Sequence, residues 1–202
     1  VMDSWVAGEM SAELRNASRW MMITCGLFLG LAITLRMDML MCMFIVLALR
    51  VFYRMKENQG NARTNAILFP VYVFLALFSK GPIGILVPLL SITVYLFAVG
   101  RIKEFGRYWG WTTWGILLVC CAVWFGAVYA EGGEAYLNNL LFHQTIDRAV
   151  DAFHHKAPFY SYLVSVWYSI APWSLFAISV IILALVRKKG ISDLQKLFLS
   201  VI

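Results

Sequence analysis

The sequence has few of the residues that usually hold a soluble catalytic domain or a secreted domain together. Its 202 residues include four cysteines, three histidines and eleven acidic residues. The cysteines lie within apolar runs without metal-ligand spacing, so we interpret them as buried thiols and predict no disulfide framework. No Walker motif, dinucleotide-binding fingerprint, Gly-x-Ser-x-Gly elbow or zinc-finger spacing is present. Soluble nucleotide chemistry is therefore unsupported.

Apolar residues dominate the sequence. Hydrophobic residues make up 61% of the sequence and aromatic residues 15%, whereas a soluble domain is about half apolar. The excess is gathered into long runs separated by short basic loops, a pattern typical of an all-α membrane protein with a multi-pass transmembrane helical bundle. The net charge is +6, and the basic residues that produce it lie beside these runs. It therefore indicates topology signals and membrane lipids as partners, with no nucleic acid.

Two of the apolar runs are too long for one crossing each. Residues 20–53 and 66–99 would each extend about 51 Å as one helix, whereas the hydrocarbon core is about 30 Å thick. Each is therefore predicted to be a helical hairpin. The full prediction is a transmembrane domain fragment, cut from a longer protein, with a long outer loop at residues 131–157 and spans at residues 20–35, 38–54, 65–79, 82–99, 111–130 and 158–186.

The basic residues orient these six predicted spans. Of the 17 lysines and arginines, all but Arg36, Lys80, Arg148 and Lys156 fall on the side of both termini. The positive-inside rule then places both termini in the cytoplasm. We expect a protein of the cytoplasmic (inner) membrane whose functional face is extracytoplasmic, or periplasmic.

Charged residues at the predicted outer turns are candidate binding groups, since ionisable groups at membrane depth are costly and tend to be functional or paired. Asp38 could contact a polar substrate, with Arg36 near a phosphate. The alternative is that Arg36 and Asp38 form an ion pair at the depth of the lipid headgroups and bind no substrate. Lys80 stands alone in its run before Gly81-Pro82 and could bind a lipid phosphate at a helix start. The alternative is an ordinary lysine that reaches the interface.

The outer loop carries a second set of candidates on an amphipathic extracytoplasmic loop helix, predicted around residues 134–153. Its apolar stripe is Phe142, Ile146, Val150 and Phe153, and its polar ladder is His143, Asp147, Asp151 and His155. The ladder could hold a divalent metal ion or move protons. The alternative is a solvated helix face. Lys156 and Tyr160 close the loop, where they could contact a phosphate and a sugar or simply anchor the next span.

One stretch resembles a known family. Residues 155–162 read HKAPFYSY and resemble a segment of the lipid A 4-amino-4-deoxy-L-arabinose transferases. With their relatives, the protein O-mannosyltransferases, these are GT-C glycosyltransferases. Residues 36–40 (RMDML), residues 80–82 (KGP) and His143 fit the same family. The resemblance covers roughly residues 20–173. Phe142 departs from it, because relatives often carry an acid there, and Arg148 lies further along than the family's arginine.

The resemblance implies a transferase that moves sugar from a polyprenyl-phosphate donor to a lipid or protein acceptor, with inversion at the anomeric carbon. By resemblance, Asp38 and Lys80 line the donor or phosphate site and His143 takes part in a metal or phosphate site. Lys80, Arg148 and Lys156 are cations placed to stabilise the leaving phosphate. The catalytic base is expected on a loop that precedes Val1, so the fragment alone is predicted to be inactive.

Two other functions compete with the transferase. A transporter or flippase for a lipid-linked or anionic substrate would explain the two long hairpins as a repeat. Against it, the candidate polar groups collect at one surface and not at the midplane. A structural membrane subunit without any site is the third hypothesis, which leaves Lys80 and the loop histidines unexplained.

Overall fold

The computed structural model describes residues 2–8, 10–34, 37–138, 167, 169–187 and 192–201. This part of the chain is helical and contains no β-strand, which confirms the predicted all-α class. The helices are α1 (Met2–Val6), α2 (Ala12–Ile23), α3 (Gly26–Ile33), α4 (Met37–Lys56), α5 (Ala62–Lys80), α6 (Ile83–Ala98), a 3-10 turn (Ile102–Glu104), α7 (Phe105–Tyr108), α8 (Trp111–Asn138), α9 (Ser174–Arg187) and α10 (Asp193–Leu199).

The α4–α5 hairpin is the centre of the structure. A short turn at residues 57–61 joins the two helices, and the first turn of α4 lies against the end of α5. Helix α6 packs back along α5. Helix α8 runs in the same direction as α5, because the rings of Phe69 and Trp109 lie 5.3 Å apart and those of Phe78 and Trp124 lie 4.4 Å apart.

The aromatic core lies toward the end of the hairpin that holds the turn. Phe52 of α4 is fully buried, with its ring 5.7 Å from Tyr95 of α6 and 4.7 Å from Tyr108 of α7. Both contacts are edge-on, an arrangement that adds about 0.5–1.5 kcal/mol per pair beyond the area buried. The three rings tie α4, α6 and α7 together at this end.

Among the residues that the structure describes, two helical stretches are long and apolar enough to cross a membrane: Ala62–Lys80, with a mean hydropathy of 1.4, and Ile102–Gly133, with 1.8. The bent pair α2 and α3 makes a third if it counts as one span. These stretches indicate a membrane protein. Helix α6 has 16 residues, about 24 Å at 1.5 Å per residue, and α4 carries charges at both ends. Six crossings therefore stay a prediction.

The first predicted span, residues 20–35, differs from the structure. Helix α2 ends at Ile23 and α3 begins at Gly26, with a bend of 59° between them. The Gly26 N–H donates to the Ala171 carbonyl oxygen (3.0 Å), and Trp173 Nε1 donates to Thr24 Oγ1 (2.9 Å). The break is stable because a distant segment satisfies its backbone, as the ends of helices require.

The later predicted elements lie partly outside the described residues. Helix α8 continues past the predicted end at residue 130 to Asn138, with a non-helical Gly133 (φ 69°) inside it. The rest of the loop, from residue 139, lies outside, so the predicted loop helix stays a prediction. The last predicted span covers residues 158–186, and its described part includes α9, which begins two residues after Pro172.

Candidate functional site

The structure brings two of the predicted site residues into contact. Asp38 lies in the first turn of α4 and Lys80 is the last residue of α5, and Lys80 Nζ forms an ion pair with Asp38 Oδ1. The Lys80 side chain is 47% exposed and that of Asp38 19% exposed. The pair closes one end of the hairpin. We call it the Asp38–Lys80 site.

The turn after Lys80 depends on a glycine. Gly81 ends α5 with φ 90° and ψ −156°, and its N–H donates to the Leu77 carbonyl oxygen at 2.7 Å. Residues that carry a side chain rarely adopt a positive φ of this kind, so glycine is the residue that suits the position. Pro82 follows with φ −55°, and α6 begins at Ile83. The predicted break at Gly81-Pro82 is confirmed, and it leaves Lys80 at the exposed end of a helix.

Close packing between α5 and α6 holds that turn in place. A Cβ on Gly84 would lie 2.3 Å from the Ala76 carbonyl carbon and 2.4 Å from the Leu77 nitrogen. All of the nearest atoms are backbone, and Ala76 is fully buried. The two helices therefore meet directly through backbone at Gly84. This contact positions α6, and with it the Gly81 turn beside Lys80.

The Asp38–Lys80 pair can open at small cost. Exposed and half-exposed ion pairs contribute about 0–1 kcal/mol to stability, because water screens the attraction and both side chains lose freedom. An anionic ligand could therefore displace the Asp38 carboxylate from Lys80. The displaced carboxylate would then be available to accept hydrogen bonds from a neutral group, such as a sugar hydroxyl. The site can thus bind an anion and a polar group side by side.

The other predicted site residues lie outside the described residues. They are Arg36, His143, Asp147, Arg148, Lys156 and Tyr160. Within the described ranges no group of three or more histidine, cysteine, aspartate or glutamate side chains is placed to hold a metal ion. The metal site predicted at His143 and Asp147 therefore stays a prediction, as does the role of each of the other residues.

Sequence reasoning overlooked a thiol near the site. Cys42 lies four residues after Asp38 on α4, on the same helix face, and it is exposed and free. Its position in an apolar run led to the interpretation of a buried thiol, which is wrong for this residue; Cys25, Cys120 and Cys121 are only partly buried. The spacing of four residues from Asp38 could have placed it beside the site, because residues i and i+4 are neighbours on a helix.

Comparisons with known protein families, with curated proteins and with solved structures find no match for this chain. Any assignment of function therefore depends on the geometry of the Asp38–Lys80 site and on the sequence patterns around it. The contact that carries most weight joins two residues that lie 42 positions apart in sequence. It unites the only two candidate binding residues that the structure describes.

Proposed function

We propose that the chain is part of an integral-membrane GT-C-type glycosyltransferase. It transfers sugar from a polyprenyl-phosphate donor to a lipid or protein acceptor on the extracytoplasmic side of the membrane. The observation that supports this proposal is the contact between Asp38 and Lys80. The sequence marks both residues as donor-site candidates, and they meet at one end of an apolar helix pair.

The chemistry of the pair suits a lipid phosphate leaving group. In the proposed site the Lys80 ammonium exchanges Asp38 for a phosphate oxygen of the donor, and it stabilises the negative charge that develops there as the sugar departs. The freed Asp38 carboxylate accepts hydrogen bonds from the sugar. His143 and Asp147 would hold a divalent metal ion, which would supply further positive charge at the phosphate. The base that activates the acceptor is not among these residues.

A binding measurement in the intact enzyme tests the proposal. Lys80→Ala should weaken the binding of polyprenyl phosphate by about tenfold, which corresponds to one charge-assisted hydrogen bond. Asp38→Asn should strengthen it, because the competing carboxylate is gone, while sugar transfer falls. Lys103→Ala removes an exposed cation far from the site and should leave binding unchanged.

The opposite signs of the two substitutions separate a binding site from a structural ion pair. If Asp38 and Lys80 only hold two helices together, Lys80→Ala and Asp38→Asn should lower stability alike and should not differ in their effect on polyprenyl phosphate. Weaker binding in both variants, or in neither, would refute the donor site.

A transporter or flippase for a lipid-linked or anionic substrate is the second candidate. The bent pair α2–α3 favours it, since helices broken within a span often form transport sites. The break is 59° and its backbone is satisfied by the Ala171 carbonyl. Reconstitution in vesicles distinguishes the candidates. A flippase moves the lipid-linked sugar between leaflets without an acceptor, whereas the transferase forms product only when an acceptor is present.

A further inference from the structure

The turn at residues 57–61 holds two arginine side chains at the end of the hairpin remote from Asp38. Arg54 of α4 packs against Gly60 (φ 74°), where an added Cβ would lie 2.6 Å from Arg54 Nη2. Arg107 of α7 donates from Nη2 to Asn58 Oδ1 at 3.3 Å. Asn58 and Gly60 are two residues apart, so their Cα atoms lie within about 7 Å of each other. Both guanidinium groups therefore lie on one turn. We call it the arginine turn.

Neither guanidinium group is neutralised by a carboxylate in the part of the chain that the structure describes. Neighbouring carboxylates pair with other cations: Glu57 with Lys56 (2.8 Å), Glu104 with Arg101 (2.9 Å) and Asp193 with Lys56 (2.5 Å) and Lys196 (3.4 Å). Arg107 donates to the neutral side chain of Asn58, and Arg54 packs against Gly60. The arginine turn thus carries two positive charges with unused hydrogen-bond donors, because each guanidinium has five N–H groups.

The arginine turn lies at the expected depth of lipid headgroups. Helix α8 begins at Trp111, four residues after Arg107, and the Trp111 side chain is 93% exposed. It belongs to the helical stretch Ile102–Gly133, which is long and apolar enough to cross a membrane. Tryptophan is enriched at the membrane–water interface. The start of this stretch, and the arginine turn beside it, would therefore lie at the headgroups.

We propose that the arginine turn binds the headgroup of an anionic phospholipid that carries two phosphates. Arg54 and Arg107 each donate hydrogen bonds to one phosphate, since the turn brings both side chains together, Arg54 at Gly60 and Arg107 at Asn58. Arginine suits this role because its planar group can donate two parallel hydrogen bonds to a phosphate. Basic pockets at helix ends recognise such headgroups in other membrane proteins. Arg54 lies 16 residues, or about 24 Å, along α4 from Asp38 at 1.5 Å per residue, so the arginine turn is distinct from the proposed donor site.

Lipid retention by the full-length protein tests the proposal. The protein is purified in detergent and titrated with diphosphatidylglycerol or phosphatidylcholine, and bound lipid is counted by native mass spectrometry. Arg54→Gln and Arg107→Gln should each weaken diphosphatidylglycerol binding by roughly fivefold, with no effect on phosphatidylcholine. Lys103→Gln removes the same charge from an exposed lysine at the same end and should change binding by less than about twofold.

A pair of glycine substitutions tests geometry at constant charge. Gly60→Ala places a Cβ against Arg54, whereas Gly100→Ala has a similar backbone (φ 73°) and nothing within 4 Å of the new Cβ. We expect Gly60→Ala to weaken lipid binding by less than Arg54→Gln does, because the Arg54 side chain can partly move aside, and Gly100→Ala to leave it unchanged. Circular dichroism of each variant establishes that it is folded. If Gly60→Ala fails to fold, the two arginine variants still test the proposal.

Three outcomes would overturn the proposal. Equal losses from Lys103→Gln and Arg54→Gln would show diffuse surface charge and no site. If the two glycine variants bind the lipid equally well and Arg54→Gln also leaves lipid binding unchanged, the position of Arg54 is irrelevant. Displacement of the lipid by inorganic phosphate at equal concentration would show a site for free phosphate and not for a lipid.

Discussion

Substitution of Gly84 by alanine should separate α5 from α6 and loosen the Asp38–Lys80 site. The new methyl group would lie 2.3 Å from the Ala76 carbonyl carbon, well inside van der Waals contact, and a backbone obstacle cannot rotate away. Overpacking of this kind costs about 1–3 kcal/mol, and alanine recovers up to about 1 kcal/mol over glycine through helix propensity. Because the obstacle is backbone at 2.3 Å, we take the upper end of the overpacking cost, about 3 kcal/mol, and expect a net loss of about 2 kcal/mol in the free energy of unfolding.

Gly115→Ala is the matched control, because Gly115 lies within α8 and has nothing within 4 Å of an added Cβ. It should leave stability unchanged or raise it by up to about 1 kcal/mol. Both variants are unfolded in mixed micelles by denaturing detergent, with helix content as the signal. If Gly84→Ala were as stable as Gly115→Ala, the close approach of α5 and α6 would not exist as described, and the position of Lys80 would need another explanation.

The remaining predictions concern the terminal helix, the topology and the outer loop. The hydrogen bond from Lys56 holds the pKa of Asp193 below its ordinary value of 3.8, so the stability that this bond adds to α10 is present above that value and is lost as pH falls through the lowered pKa. The protection factors of the Asp193–Leu199 amides, taken relative to the intrinsic exchange rate at each pH, should fall at acid pH, and Asp193→Asn should lower them already at pH 7; unchanged protection would contradict this. Single cysteines at positions 103 and 134, in a background without native cysteines, should label from opposite sides of the membrane, and labelling from one side would overturn the six-span topology. In the intact enzyme, His143→Ala should lower transfer far more than folding yield; equal losses would reduce the loop ladder to a solvated face.

The break between α5 and α6, and Lys80 as a candidate residue, were accessible from sequence because their signals are local. A long apolar run with a central Gly81-Pro82 predicts a break, and the structure places α5 and α6 on either side of it. Lys80 was conspicuous as the lone charge in its run. Its ion pair with Asp38 was not visible in the sequence, because the two residues lie 42 positions apart.

The break at Thr24–Cys25 could not be predicted in the same way. Its decisive hydrogen bonds join Gly26 to Ala171 and Trp173 to Thr24, and no pattern near residue 25 reveals an acceptor so far along the chain. The burial of Lys56, 7% exposed beside Asp193, is similar. A lysine at a helix end predicts a solvated cation, and only the docking of α10 brings Asp193 to it.

The sequence by itself determined the helical, membrane class of this protein, the turns that divide its runs and the placement of charges at helix ends. Those properties follow from hydropathy and turn chemistry, which act over a few neighbouring residues. The tertiary structure alone decided that Asp38 meets Lys80, that Gly84 must lack a side chain and that Arg54 and Arg107 share one turn. Each of these depends on atoms brought together from distant parts of the chain, where the available space and the nearest partner are set by packing and not by sequence neighbours.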